Sequence, residues 1–282
     1  MLHKDRNRET VKSTRRCRLK IIDFHVHTFP EKIAAKAITT LKAKSKTENF
    51  TDGTIKMLVD SMESAGINYS VLQPVATKPK QVESINTNAM KINSDYKNII
   101  SFGAIHPDFE NSDDELKRIS EAGIKGIKIH PVYQNTNIND ERYIKILRAS
   151  GEFNLSVLIH AGWDIGFPGD DKALPKKIFD AIKFSPDTKI ILAHMGGWRC
   201  WNEAEKLFAD VENVFIDTAF SFDLSNDDFV RMIKIFGSER VIFGTDSPWA
   251  SQAETVKNIN LLPITEKEKE NIFYNNAEKI IF

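Results

Sequence analysis

Cysteine is scarce in this chain. Only Cys17 and Cys200 occur among 282 residues. They could form at most one disulfide, so a disulfide framework is excluded and a reduced, cytoplasmic setting is expected. Long apolar runs are missing too. None approaches the ~20 residues that a membrane-spanning helix needs, so no membrane is expected as a partner. Net charge is also absent, because Lys+Arg and Asp+Glu balance at 39 each. That balance gives no reason to expect nucleic acid as a partner. Finally, the first apolar run is not followed by the glycine-rich phosphate loop of doubly wound nucleotide-binding folds. Its place is filled by His25-Val26-His27-Thr28-Phe29-Pro30.

What is present is apolar material in short, regular pieces. Apolar residues make up 41% of the chain, with 18 Phe, enough for a sizeable core. Eight β-branched runs recur at 21–27, 69–75, 99–105, 126–130, 156–160, 189–195, 214–219 and 241–246. The segments between them carry helical patterns, at 54–65, 80–97, 112–122, 140–150, 173–184, 201–210, 226–236 and 265–280. In the first of these, Ile55, Leu58, Val59 and Met62 form one stripe and Gly66 is a stop signal. Gly151 reads as the stop of the 140–150 helix. The last helix opens on a capping box, Thr265 with Glu268 three places on. Residues 31–53 read as a helix plus a loop over the mouth, and 163–172 as a Gly/Pro-rich loop.

Strands alternating with helices imply a parallel sheet, since parallel neighbours need crossover connections. Eight repeats over this length predict an α/β fold, a single (β/α)8 barrel over residues 20–282. Residues 1–19 form a basic extension, with Lys4, Arg6, Arg8, Lys12, Arg15, Arg16 and Arg18 against Asp5 and Glu9. No apolar segment follows it, so a solvated extension is expected rather than a secretory signal.

Reactive groups in such barrels sit at the carboxyl ends of the strands. His25 and His27 end the first strand, and His106 follows the third. Lys128 and His130 end the fourth, His160 the fifth, His194 the sixth and Asp246 the eighth. Of the seven histidines, only His3 lies outside this pattern. Strand alternation places Asp23, His25 and His27 on one face. His25, His27, His160 and Asp246 together suit zinc, with iron or manganese as substitutes. A metal there could bring the pKa of a water to about 7.

The remaining side chains keep alternative readings. His194 is expected to be an acid/base group, with a fourth ligand or a packed core histidine as alternatives. Asp246 could ligate the metal and also take a proton, while Asp23 could orient a ligand histidine. Lys128 could be carboxylated and bridge two metals, bind an anionic substrate group, or pair deeper with Asp23. His130 and Trp163 are expected substrate contacts. Arg199, at a helix start by the mouth, is either a contact for a substrate carboxylate or a solvated arginine. His106 reads as structural, and Cys200 has no adjacent base and is not a candidate nucleophile.

Several of these stretches resemble a known family. Asp23-Phe24-His25-Val26-His27 is similar to the first-strand signature of the amidohydrolase superfamily. Gly126-Ile127-Lys128-Ile129-His130-Pro131, Ile159-His160-Ala161-Gly162, Ala193-His194-Met195-Gly196-Gly197 and Phe243-Gly244-Thr245-Asp246-Ser247-Pro248 resemble its amidohydrolase-related branch. That branch includes aminocarboxymuconate-semialdehyde decarboxylase. The C-terminal Ile272-Phe273-Tyr274-Asn275-Asn276-Ala277 resembles its closing helix. The resemblance spans residues 20–282 with the motifs in order. It implies a distorted (β/α)8 barrel, a metal held by His25, His27, His160 and Asp246, and His194 as acid/base. It implies one zinc ion, with a second metal only if Lys128 is carboxylated. The expected activity is hydrolysis of a small amide, ester or lactone. The alternative is non-oxidative decarboxylation or hydration of an unsaturated or aromatic carboxylic acid, and a catalytically silent binding barrel ranks third. The expected partner is a small molecule that can bear a carboxylate, and a homodimer is the prior for assembly.

Overall fold

The computed structural model describes residues 19–282. Apart from Leu19, the basic extension lies outside the described residues. Among the described residues, nine short strands follow one another around a barrel, each paired strand parallel to its neighbour. They are β1 (Ile22–Val26), β2 (Tyr69–Leu72), β3 (Ile99–Ser101), β4 (Gly103–Ala104) and β5 (Gly126–Ile129). Then come β6 (Ser156–Ile159), β7 (Ile190–Leu192), β8 (Val214–Asp217) and β9 (Val241–Ile242). The predicted third strand is split into β3 and β4 at Phe102. The Phe102 ring packs edge-on against Phe24, with centroids 5.3 Å apart, and its N–H donates to Leu72 O. The ladder breaks there into a three-stranded sheet (β1–β3) and a six-stranded sheet (β4–β9). The seam between β9 and β1 is bridged by three backbone bonds. Phe24 N donates to Phe243 O (2.8 Å), Asp246 N to His25 O (2.8 Å) and His27 N to Ser247 O (2.6 Å). The fold is a (β/α)8 barrel.

Helices cover the outside: α1 (Glu31–Ser45), α2 (Ile55–Ala65), α3 (Val82–Asp95), α4 (Ser112–Glu121), α5 (Glu141–Glu152) and α6 (Pro175–Ile182). They continue with α7 (Trp201–Phe208), α8 (Asn226–Phe236), α9 (Gln252–Leu261), α10 (Glu266–Glu270) and α11 (Asn276–Ile281). Gly66 closes α2 in the left-handed conformation (φ 73°), as its sequence predicts. Three expectations are corrected. α5 runs through Gly151 to Glu152, because that glycine answers packing rather than termination: a Cβ there would lie 2.5 Å from Thr188 Oγ1. α9 was not anticipated, although Ser251 caps it by accepting from Glu254 N–H. The last predicted helix is three pieces, with a π turn at Asn271–Asn275 between α10 and α11. Its capping box at Thr265 and Glu268 is present.

Alternation sorts the strand residues into two cores. Ile127, Val157, Ile159, Ile190, Leu192, Val214 and Ile216 face the helices. Ile22, Phe24, Val71, Phe102, Leu158, Ile191 and Ile242 fill the barrel interior with Ala277 and Ile280 of α11. Each fully buried Leu, Ile or Phe contributes about 1.5–3 kcal/mol. This apolar filling closes one end of the barrel and leaves the other end to the polar strand termini. Among the described residues, no helix is long and apolar enough to cross a membrane.

Candidate active site

The polar end opens into a cavity of about 680 Å³. Its walls include His25, His27, Lys128, His130, His160, Trp163, His194 and Asp246. The structure therefore brings every predicted site residue except Arg199 to one cavity. Arg199 lies on the rim, exposed, with Nε and Nη2 donating to Asp223 Oδ2 at 3.0 and 2.9 Å and its guanidinium over the Trp198 ring. The loop at 220–225 thus supplies Arg199 with a carboxylate of its own. His106 is also outside the cavity walls. It is buried, and its Nδ1 accepts from Asp108 N–H at 3.1 Å.

Three predicted ligands converge. His25 Nε2 lies 3.2 Å from His27 Nε2 and 3.5 Å from Asp246 Oδ1, and His27 Nε2 lies 3.1 Å from that same oxygen. Metal–ligand bonds near 2.1 Å would give tetrahedral edges of roughly 3.4 Å, so these separations suit one ion. The two rings are inclined at 71°, which lets both in-plane lone pairs meet at a point. The tautomer of His25 agrees. Its Nδ1 is 2.7 Å from Asp217 Oδ2, and a carboxylate accepts, so the proton sits on Nδ1 and Nε2 carries the lone pair. The donor set fits a divalent metal.

His160 stands apart from this trio. Its Nδ1 is 3.2 Å from His194 Nε2, and its Nε2 faces Asp164 Oδ2 at 3.7 Å. That Nε2 is buried without a hydrogen-bond partner. His130, His160 and Asp164 form a second cluster, with His130 Nε2 3.5 Å from Asp164 Oδ2. The two rings of this cluster stack at 4.0 Å with only 9° between their planes. Lone pairs lying in parallel planes do not meet at one ion, so the second cluster is a poor chelate.

His194 is held firmly. Its Nδ1 donates to Ala219 O at 2.9 Å, leaving Nε2 as an acceptor, and its backbone N–H donates to Asp217 Oδ1 at 2.8 Å. Both His194 (φ 62°) and Asp246 (φ 67°) adopt the left-handed conformation, which is uncommon for residues with a side chain and recurs at working sites. Gly162 (φ +87°) lets the loop carrying Trp163 and Asp164 cross close to Trp198; a Cβ there would lie 2.3 Å from Trp198 N.

Asp23 does not share a face with the histidines. The β1 register shifts between Asp23 and Val26. As a result Phe24 fills the barrel interior and Val26 joins the outer core. Asp23 accepts instead from Thr245 N (2.9 Å), Thr245 Oγ1 (2.7 Å) and Gln252 Nε2 (2.7 Å). The carboxylate that orients His25 is Asp217, and Lys128 also faces it rather than Asp23. Lys128 Nζ lies 3.3 Å from His25 Nε2 in a fully buried position.

Burial governs the electrostatics. It pushes the Asp23 carboxyl up to about 7 and Asp164 to about 6, and it raises Asp217. It lowers the Lys128 ammonium to about 8. His25, His130, His160 and His194 are all shifted down by burial, so these imidazoles are neutral near pH 7. Burial opposes ionisation of Asp246 as well, but the hydrogen bond from His27 leads the effects that outweigh it, and the carboxyl is held at about 2. Burial raises the Cys200 thiol to about 11, in keeping with its exclusion as a nucleophile.

Asp217, Asp164 and Tyr133 escaped the sequence reading. Asp217 had a signal, because it ends a strand as the histidines do. Asp164 follows His160 by four residues in a loop, and Tyr133, stacked on His130 at 3.8 Å, lies in another. Loop residues give no periodicity from which their direction can be read.

A parallel barrel with converging imidazoles and a carboxylate at its strand ends defines an enzyme barrel with a candidate site for a divalent metal. The chain belongs to the amidohydrolase family, whose model matches residues 22–282. No curated protein sequence matches it. Among solved structures, an uncharacterized TIM-barrel protein from Bordetella bronchiseptica is similar at TM-score 0.77 and 19% identity, over 93% of this chain and 98% of that one. A 5-carboxyvanillate decarboxylase from Sphingomonas paucimobilis is similar at TM-score 0.70 and 17% identity, over 93% and 99%. A dihydroxybenzoic acid decarboxylase from Polaromonas, with bound manganese and the inhibitor 2-nitroresorcinol, is similar at TM-score 0.69 and 15% identity, over 93% and 96%. At these identities the likeness is one of fold.

Proposed function

We propose that the protein is a metal-dependent hydrolase of a small amide, ester or lactone. One observation carries this reading: two imidazole lone pairs and an ionised carboxylate face the cavity floor together, beside the Lys128 ammonium. His25 Nε2, His194 Nε2 and the Asp246 carboxylate are acceptors by tautomer or charge. Hydrolysis requires a proton to be taken from water, and such a floor suits that task. A divalent metal held by His25, His27 and Asp246, with the unpartnered Nε2 of His160 turned from Asp164 to serve as the fourth ligand, would polarise the carbonyl and activate water. We assign Asp246 and His194 to moving the proton. In the structure the His194 lone pair receives the Nδ1–H of His160; in the reaction we assign it the proton of the attacking water. His130 and Trp163 are assigned to the substrate. Zinc is the metal of this reading, with manganese the substitute to test beside it.

A second reading is favoured by a different observation. Lys128 puts an ammonium on the same floor, and Phe29, Tyr133, Trp163, Trp198, Phe220 and Trp249 line the walls. An aromatic carboxylate would suit both features, and two of the similar structures are decarboxylases of such acids. The experiment loads the protein with zinc or manganese and offers a panel of esters, lactones and amides beside a panel of hydroxybenzoates and unsaturated acids. Carbonyl hydrolysis that disappears in Asp246→Asn is the expected result. Carbon dioxide release with no hydrolysis would replace the first reading by the second.

A further inference from the structure

The cavity is longer than its floor requires. From the histidines it continues between α1 and α3, whose facing stripes line it rather than packing together. Ile33, Ala37 and Leu41 recur at four-residue intervals on α1, and Ile85 and Ile92 lie seven apart on α3, so each set forms one helical face. The core side of α1 is a different stripe, Ala34 and Ile38. The eight residue steps from Ile33 to Leu41 span about 12 Å along the helix. Of the polar residues these two helices give the walls, Lys44, Ser84 and Asn88 are solvent-exposed and Ser45 is half-buried, and Ile33 is itself exposed at the outer end, so the arm opens outwards past Ala37, Leu41, Ile85 and Ile92.

We infer that the arm between α1 and α3 binds an unbranched alkyl or acyl chain of the substrate while its carbonyl end lies at the histidines. This rests on the hydrolase reading for the identity of the reacting group. It names the substrate class as a medium-chain acyl ester, amide or alkyl-substituted lactone. The arm is continuous with the cavity that holds His25 and His27, and the apolar residues that α1 and α3 give it are aliphatic. A straight chain can lie along both stripes, whereas a single planar ring cannot cover their length. Each methylene transferred into an apolar wall is worth roughly a fourfold gain in affinity.

The test is calorimetric titration of the metal-loaded protein with straight-chain carboxylates from butyrate to decanoate, the products of the proposed hydrolysis. Affinity is expected to rise about threefold to fourfold per methylene until the arm is filled. Leu41→Trp and Ile85→Trp block the arm from opposite walls, and each should flatten that rise. Circular dichroism of both variants checks that they fold. Affinity independent of chain length in the parent protein, or a rise that persists in both folded variants, overturns the inference. The outcome is separable from the hydrolase reading. A protein that binds longer chains better but cleaves no ester, amide or lactone refutes that reading alone. One that cleaves short esters with no dependence on chain length refutes the arm alone.

Discussion

At the scale of single residues, the clearest consequence concerns Asp217. Its two oxygens hold His25 Nδ1 and the His194 backbone N–H. It therefore fixes the tautomer of one ligand and the position of the proposed base. Asp217→Asn should weaken metal binding by about 10–100-fold, the usual effect of removing a partner behind a ligating histidine. Competition with a chelating dye measures it, and unchanged affinity would show that His25 orients itself. Lys128 makes a separate prediction. As a free ammonium beside His25 it ligates nothing, so Lys128→Met should retain one metal per chain by elemental analysis. Loss of metal in that variant would identify a carboxylated lysine ligand instead. The gathering of His25, His27, His130, His160, His194 and Asp246 at one cavity was legible because each stands at the end of an apolar run. Asp23 was misread because a single register shift in β1 changes which face a side chain takes.

Among the elements, α10 offers a pH test remote from any metal. Glu268 closes the capping box with Thr265 and pairs with Lys234 of α8. The Lys234 ammonium, helped by the Thr265 N–H, holds its carboxyl down from 4.5 to about 2. A depressed carboxyl stabilises the fold above its unfolded value, and that contribution is lost as pH falls from 4.5 towards 2. The group is near the surface, so solvent screening limits its worth to roughly 0.5–1 kcal/mol. Glu268→Gln should lower the melting temperature slightly at pH 7 and flatten its decline over that acid interval. An identical pH profile in both proteins would show that the pair contributes nothing. The helices of the core were readable from their stripes, as α2 shows with Leu58 and Met62 buried. The break at Phe102 was not, because nothing in a run of β-branched residues marks where a barrel must bend.

For the whole molecule, the ligands are spread across the chain. His25 and His27 lie on β1, at the start of the barrel, and Asp246 follows β9, where the ring comes round to meet it. A metal bound there links the first strand to the last, and it binds the folded state only. At a free metal concentration 100-fold above Kd, that linkage is worth about 2.7 kcal/mol. Exhaustive chelation should therefore lower the melting temperature by about 5 °C or more, and readdition of zinc or manganese should restore it. Equal melting curves with and without metal would mean that the trio does not bind it. The repeat of strands and helices gave the barrel topology in advance, since parallel neighbours require crossovers. The cavity and its arm were invisible in advance, because they lie between elements far apart in sequence.

The sequence by itself determined the kind of fold and the ring of reactive groups. Alternating short apolar runs and amphipathic segments admit few parallel architectures, and strand ends in a barrel converge wherever the chain places them. Only the tertiary structure decided which groups meet. It gathered His25, His27 and Asp246, turned His160 towards His194, sent Asp23 to Thr245 and Gln252, and gave Arg199 to Asp223. Each of those outcomes depends on side-chain direction and on distances of a few ångströms, set by closure of the barrel and by loop geometry. Neither is encoded in any local period of the sequence.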